Sequence, residues 1–164
     1  MLNVYVDTGG MESVVTELEL AGLIRTHYFP FEQRNKKVQN FVSGSGATWD
    51  QCNLSWDEEP GTWDDDKTSP LFEKILHIVG GYLVDAQHLD SAYKSGCTVF
   101  LTSDKTDIWS NRIAFQALLG VLVIHTRTEQ AALRDLANAS ANIYIAVDPV
   151  KTTATKIHAK NVSE

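Results

Sequence analysis

Short apolar runs alternate along this chain with longer segments in which apolar residues recur every three or four positions. The short runs are rich in β-branched and aromatic residues, a composition that predicts buried strands at residues 2–6, 23–31, 98–102, 121–124 and 143–147. Helical spacing predicts helices at residues 11–21, 69–79, 85–95, 107–119 and 128–138, with a further short polar helix at 32–40. Strands that alternate with helices predict an α/β fold, in which helices cover both faces of a mainly parallel sheet and so make three layers.

Glycine and proline mark where several of the predicted helices begin and end. The pair Gly80-Gly81, Gly96 and Gly120 each follow the last apolar position of a helix, where a glycine commonly ends the helix. The dipeptide Ser69-Pro70 predicts an N-cap followed by the first helical residue. These signals place a helix, a turn and a buried strand in direct succession over residues 85–102.

Length and composition favour a single domain over residues 1–164. With 164 residues, of which 43% are hydrophobic, the chain can bury roughly 70% of its unfolded surface and needs no disulfide to fold. Cys52 and Cys97 lie far apart and lack the spacing of a metal or redox motif, so we expect reduced thiols in a cytoplasmic protein. No apolar run approaches the roughly 18 residues of a membrane span, so we expect no membrane partner. A polar, slightly basic tail is expected after about residue 150.

Acidic residues are concentrated in one segment, which we interpret as an insertion at about residues 44–68. The formal net charge is −7, but residues 48–67 hold seven acidic residues and one lysine, whereas the rest of the chain holds 14 acidic and 13 basic residues. Net charge therefore does not exclude a polyanionic partner such as RNA. A Trp-Asp pair recurs every seven residues, at Trp49, Trp56 and Trp63. A proline and a glycine within the segment argue against a coiled coil, so we expect three tandem turns.

Three aspartates are predicted to meet at one edge of the sheet. Asp7 follows the first strand, Asp104 follows the strand at 98–102, and Asp85 lies near the start of a helix. In open α/β sheets ligands bind beyond the carboxyl ends of the strands, so these side chains share one crevice if their strands are neighbours. Clustered carboxylates stay ionised together when a cation screens them, which predicts a hard divalent ion, Mg²⁺ or Mn²⁺.

Each aspartate also fits a purely structural role. Asp85 and Asp104 could each be helix N-caps, and Asp7 could close a turn with Thr8. Spacing alone does not decide between a cap and a ligand. His88 could likewise shape the rim of the site or support its own helix, and the second role is favoured.

Asp85 begins the sequence DAQHL at residues 85–89, and Asp104 ends the sequence FLTSD at residues 100–104. Both motifs resemble those of PIN domains, a family of metal-dependent ribonucleases that includes many bacterial toxins of toxin–antitoxin systems. The letters DAQHL at residues 85–89 resemble the helix that carries the family's third acidic residue. The letters FLTSD at residues 100–104 resemble the strand end that carries the fourth, and VYVDT at residues 4–8 is similar to the strand that carries the first. The resemblance covers residues 82–125 and the first ten residues of the chain.

The resemblance implies an endoribonuclease that hydrolyses RNA phosphodiesters through a metal-bound water. The catalytic residues that it implies are Asp7, Asp85 and Asp104. The implied ligands of Mg²⁺ or Mn²⁺ are these three residues together with Asp107 and Glu32. RNA is then the substrate, an antitoxin-like protein is a candidate partner, and a homodimer is a candidate assembly. The candidate substrate-binding residues are Thr8, Ser103 and Arg112.

The middle of the chain departs from the family pattern. The family has a glutamate early in a helix after the second strand, usually behind a serine, and Glu32 is the best-placed residue although the surrounding motif is missing. Gly9 and Gly10 stand where the family commonly has an asparagine and an apolar residue. Because the missing motif affects the ligand set, the alternative is a non-catalytic PIN-like binding or scaffold protein with a degenerate acidic site.

Overall fold

The computed structural model describes residues 1–29, 31, 40–41, 44–48, 51 and 67–147, which form one parallel sheet with helices on both faces. The strands are β1 (Leu2–Val6), β2 (Ile24–Tyr28), β3 (Asn40–Phe41), β4 (Val99–Thr102) and β5 (Leu122–His125). The helices are α1 (Ser13–Leu20), α2 (Phe72–Ile78), α3 (Leu83–Lys94), α4 (Arg112–Leu119) and α5 (Gln130–Val147), and a 3₁₀ turn at Trp109–Asn111 precedes α4. The predicted α/β fold is confirmed.

The strand order β3-β2-β1-β4-β5 reverses its direction between β1 and β4. Each neighbouring pair of strands is parallel, and Val6 at the end of β1 pairs with Leu101 on β4. The chain leaves β1 toward β2 on one side and later adds β4 on the other side. The carboxyl ends of β1 and β4 therefore open into the kind of crevice in which α/β sheets bind ligands.

Two apolar cores lie on opposite faces of the sheet, because successive side chains of a strand point to opposite faces. On β1, Val4 and Val6 pack with residues of α1 and α5, whereas Tyr5 packs with residues of α2, α3 and α4. On β4, Phe100 belongs to the same core as Tyr5, and its two neighbours belong to the other core. This division produces the predicted three layers.

Several boundaries that the sequence predicted were wrong. Residues 143–147 form the last turns of α5 rather than a strand, because no glycine or proline interrupts the helix from Gln130 onward and β preference is weak against a continuing helix. α4 begins at Arg112 rather than at residue 107, because the chain first makes a turn over residues 105–108.

Two further predicted helices differ from the structure. Asn40, predicted as the end of a polar helix, lies in β3, and residues 32–39 lie outside the described residues. α2 begins at Phe72 rather than at Ser69-Pro70, since the Ser69 hydroxyl accepts the N–H of Leu71 and closes a turn ahead of the helix. The predicted helix positions were therefore more reliable than their first residues.

The acidic insertion and the polar tail lie mostly outside the described residues. Of residues 44–68, the structure describes 44–48, 51, 67 and 68, and the predicted Trp-Asp turns and the predicted tail after about residue 150 are not among the described parts. Within the described ranges, no helix combines the length and the apolar character needed to cross a lipid bilayer.

Candidate metal centre

Three of the predicted aspartates come together beyond the carboxyl end of β4. One carboxylate oxygen from each of Asp85, Asp104 and Asp107 lies within 4.8 Å of the other two, and all three residues are half-buried. Asp85 is the third residue of α3 and is not its N-cap, because Tyr82 occupies that position. Asp104 and Asp107 lie in the turn that follows β4. A helix and a turn therefore supply carboxylates to one point of the crevice. We call these three residues the acidic cluster.

The donor atoms of the acidic cluster suit a hard divalent cation. Three carboxylates supply oxygen donors only, and such donors favour Mg²⁺, Mn²⁺ or Ca²⁺ over Zn²⁺. Three negative charges within 4.8 Å of one another repel unless a cation lies between them. Asp85 also lies in the first turn of α3, where the helix dipole favours negative charge. The cluster can therefore hold a metal ion, while the identity of the metal stays a prediction.

Asp104 closes the turn after β4 and also belongs to the acidic cluster. Its Oδ1 accepts the backbone N–H of Thr106 at 2.5 Å and that of Asp107 at 3.2 Å, and so caps the turn. Its own N–H donates to Thr102 Oγ1 at 2.9 Å. These hydrogen bonds hold the Asp104 carboxylate in place without a metal. The helix N-cap role that the sequence left open for Asp104 is wrong, because Asn111 precedes α4 and Asp104 instead caps a turn.

Asp7 lies beside the acidic cluster and is connected to it through Thr102. Asp7 Oδ2 accepts the Thr102 hydroxyl at 2.8 Å, and the same hydroxyl oxygen accepts the N–H of Asp104. Asp7 Oδ1 accepts the N–H of Thr8 at 2.7 Å, which is the turn-closing role. Asp7 is not among the described carboxylates that come within 4.8 Å of one another. Direct ligation by Asp7 stays a prediction, as does ligation by Glu32, which lies outside the described residues.

His88 projects from α3 into the core behind Asp7. The side chain is 2% exposed, its Nδ1 lies 2.9 Å from the Tyr5 hydroxyl oxygen, and its Nε2 lies 3.7 Å from Asp7 Oδ1. Burial raises the pKa of Tyr5 well above its usual value, and the nearby charge of Asp7 contributes in the same direction. The sequence favoured a histidine that supports its own helix, whereas the structure shows this buried side chain facing Tyr5 and Asp7 of other elements.

Two further polar residues of α3, Gln87 and Asp90, hold the described ends of the acidic insertion. The fully buried Asp90 carboxylate accepts the N–H of Ser69 at 2.9 Å and the hydroxyl groups of Ser69 and Ser45. Gln87 donates to the carbonyl oxygen of Gly46 at 2.8 Å. The chain on either side of the Trp-Asp repeat is therefore fastened to the helix that contributes to the acidic cluster. Neither residue was predicted from the sequence, because the spacing within α3 gives no sign that these polar side chains are buried.

The predicted substrate-binding residues have different surroundings. Thr8 and Ser103 are half-buried and directly follow Asp7 and Thr102 at the carboxyl ends of their strands. Arg112 lies over the indole of Trp109, 4.1 Å from the ring centroid, and donates to the Trp109 carbonyl oxygen at 3.2 Å. The guanidinium group therefore already takes part in the fold. Contacts of these three residues with a substrate stay predictions.

No family model, curated protein sequence or solved structure matches this chain. The resemblance to PIN domains therefore rests on the motif residues quoted above. The geometry of the acidic cluster and the position of that cluster on the sheet are the structural basis from which a function can be inferred.

Proposed function

We propose that this chain is a PIN-like endoribonuclease that hydrolyses RNA phosphodiesters with Mg²⁺ or Mn²⁺. The observation that carries the proposal is the acidic cluster at the reversal point of the strand order. A divalent cation bound there would supply an activated water and neutralise charge on the phosphate. RNA as the substrate is inferred from the DAQHL and FLTSD motifs, through their resemblance to PIN domains.

In this proposal, the residues in and around the acidic cluster have different roles. The acidic cluster holds the cation, and Asp7 orients Asp104 through the Thr102 hydroxyl or joins the ligands directly. Thr8 and Ser103, at the lip of the crevice, contact the RNA backbone. Because hydrogen bonds already hold the carboxylates of Asp7 and Asp104, little reorganisation is required when cation and substrate bind.

Asp104→Asn tests the proposal with little disturbance of the fold. Asparagine retains an oxygen that accepts the N–H groups of Thr106 and Asp107, so the turn keeps its cap while one negative charge is lost. We expect Mn²⁺-dependent cleavage of a labelled single-stranded RNA to fall by about 100-fold or more, since the ion supplies several kcal/mol of charge stabilisation. Calorimetry should show weaker Mn²⁺ binding by the same variant.

Glu12→Gln is the matched control for loss of charge. Glu12 pairs with Arg127 at 2.9 Å and is not part of the acidic cluster, so cleavage and Mn²⁺ binding should be retained. Undiminished cleavage by Asp104→Asn would contradict the nuclease proposal. Absence of saturable Mn²⁺ binding in the unmodified protein would instead favour a non-catalytic PIN-like binding protein.

A further inference from the structure

His88 is held in one orientation by aromatic neighbours on the inner side of the crevice. Its imidazole makes edge-on contacts with the rings of Tyr5 and Phe31, with centroid separations of 5.9 Å and 4.8 Å. Tyr5 is stacked in turn on Phe100 of β4, at 5.3 Å. Aromatic packing on several sides leaves little freedom for the imidazole to turn. The two ring nitrogens of His88 therefore face fixed and different partners.

The hydrogen bonds of Tyr5 determine which nitrogen of His88 carries the proton. The Tyr5 hydroxyl oxygen accepts the backbone N–H of Phe29 at 3.1 Å, and the same hydroxyl lies 2.9 Å from His88 Nδ1. Tyr5 is fully buried, so its hydroxyl proton needs an acceptor, and His88 Nδ1 is the acceptor that the described residues provide. A neutral imidazole carries one proton, which then lies on Nε2.

The protonated Nε2 faces the end of β1. It lies 3.5 Å from Thr8 Oγ1 and 3.7 Å from Asp7 Oδ1, so a positive N–H dipole is directed at a carboxylate. Asp7 Oδ1 also accepts the N–H of Thr8, and Asp7 Oδ2 accepts the Thr102 hydroxyl. The Thr102 hydroxyl oxygen accepts the N–H of Asp104, so a series of contacts links Tyr5 to the acidic cluster. In this series the 3.7 Å step from His88 Nε2 to Asp7 Oδ1 is an electrostatic contact and the other steps are within hydrogen-bond distance.

We propose that Tyr5 and His88 are positioning residues of the metal centre. Tyr5 fixes His88 as the Nε2–H tautomer, and that N–H, together with Thr8 and Thr102, orients the Asp7 carboxylate behind Asp104. This role rests on the proposed function, because it concerns how the same site holds its cation. Partners of this kind behind a metal ligand commonly change metal affinity by about 10-fold to 100-fold when they are removed.

Two conservative substitutions of His88 separate positioning from support of the fold. The amide nitrogen of glutamine lies near the place of Nε2 and can donate toward Asp7, whereas the amide oxygen of asparagine lies near the place of Nδ1 and can accept from Tyr5. Each variant keeps one of the two contacts. We expect His88→Asn to weaken Mn²⁺ binding by about 10-fold or more and His88→Gln by no more than about threefold, measured by calorimetry.

Unfolding in urea and an exposed histidine supply the controls for this comparison. If His88 only supports the fold, Mn²⁺ affinity will follow the unfolding midpoint, and the two variants will not differ at equal stability. His77→Asn, at an exposed position on α2, should leave Mn²⁺ affinity unchanged. Equal Mn²⁺ affinity of His88→Asn and the unmodified protein would overturn the proposal.

The tautomer of His88 can be measured without any metal. Long-range proton–nitrogen correlation spectra at about pH 8.5, where an ordinary imidazole is neutral, should show the proton on Nε2, and Tyr5→Phe should shift the population toward the Nδ1–H form. A proton on Nδ1 in the unmodified protein would overturn the role given to Tyr5. If the unmodified protein binds no Mn²⁺, the proposed function fails, and the spectra still decide whether Tyr5 fixes His88.

Discussion

Gly10 is the residue at which one added carbon would most disturb the crevice. A Cβ on Gly10 would lie closer than 3.0 Å to the carbonyl oxygen of Leu101, a backbone atom of the interior strand β4. Rotation of a side chain cannot relieve that collision. A Cβ on Gly9 would instead meet the Ser103 hydroxyl, which can rotate away. The two adjacent glycines therefore face different physical constraints.

We expect Gly10→Ala to lower the free energy of unfolding by about 2 kcal/mol, the typical cost of overpacking a rigid site. The loop that carries Asp7 should move away from β4, so Mn²⁺ binding should weaken as well. Gly9→Ala is the matched control and should change the free energy of unfolding by less than about 1 kcal/mol. Urea denaturation and calorimetry measure both effects. Equal losses in the two variants would show that the collision with β4 does not govern the site.

The aspartates of the acidic cluster were predictable from the sequence, whereas the buried polar residues further along α3 were not. Asp104 could be assigned to the crevice because parallel strands present their carboxyl ends at one edge. For His88 the sequence favoured support of its own helix over a place at the rim of the site, and it assigned Asp90 no role, since helical periodicity assigns one buried face to a helix. In the structure, residues 86–92 are buried without a break. Such burial depends on the elements that surround α3, which the spacing within α3 does not reveal.

Helix α3 fixes other parts of the chain in place through hydrogen bonds of its polar side chains. The fully buried Asp90 carboxylate makes most of these hydrogen bonds, because it accepts one backbone N–H and two hydroxyl groups. Removal of that carboxylate leaves the groups of Ser45 and Ser69 without their acceptor. A buried polar group that loses its partner costs about 1–3 kcal/mol.

We therefore expect Asp90→Ala to lower the free energy of unfolding by about 3 kcal/mol or more. Asp90→Asn should cost less, because its oxygen can accept the Ser69 N–H and a serine hydroxyl can turn to accept from the new amide. In the alanine variant, hydrogen exchange should be faster at the backbone amide of Ser69, which loses its acceptor. Exchange should also be faster at the amide of Ser45, which donates to Ser91 Oγ, because the Ser45 hydroxyl loses its anchor to Asp90. Asp135→Asn, at an exposed position on α5, serves as the control. Unchanged exchange at both serines would refute the anchoring role of Asp90.

The alternation of short apolar runs with segments of helical periodicity was sufficient to predict the α/β fold and the five helices of the described residues. It was insufficient at 143–147, where a β-branched run continues α5 because nothing in the sequence stops the helix before Pro149. The sequence did not show that β1 and β4 are neighbours in the sheet, and it predicted a shared crevice only if they were. That pairing is a contact between residues about 95 positions apart, as between Val4 and Val99, and local patterns carry no information about it.

Within the described part of the chain, the thiol of Cys97 and the phenol of Tyr5 both lie in the core on the α2–α4 side of the sheet. Burial raises the pKa of the Cys97 thiol to about 12, and burial likewise raises the pKa of Tyr5. Both groups are neutral when protonated, so the folded state holds these protons more tightly than the unfolded state does. Stability linked to them is complete below the pKa values of the unfolded chain and is lost as pH rises toward the folded values. Alkaline pH should therefore destabilise the fold as a whole.

Cys97→Ala isolates the contribution of the thiol to this alkaline loss. Between the ordinary pKa of 9.0 and the folded value of about 12, the thiol alone should reduce the free energy of unfolding by about 2 kcal/mol at about pH 10.5 relative to pH 8. The alanine variant starts lower because it leaves a small cavity, but it should lose less stability over this interval, since Tyr5 and the exposed groups titrate equally in both proteins. The two sets of urea midpoints should therefore converge as pH rises. If the urea midpoints of the two proteins instead fell in parallel as pH rises, Cys97 would ionise as readily in the folded protein as in the unfolded chain. That result would contradict the effect expected from burial of the thiol in a packed core.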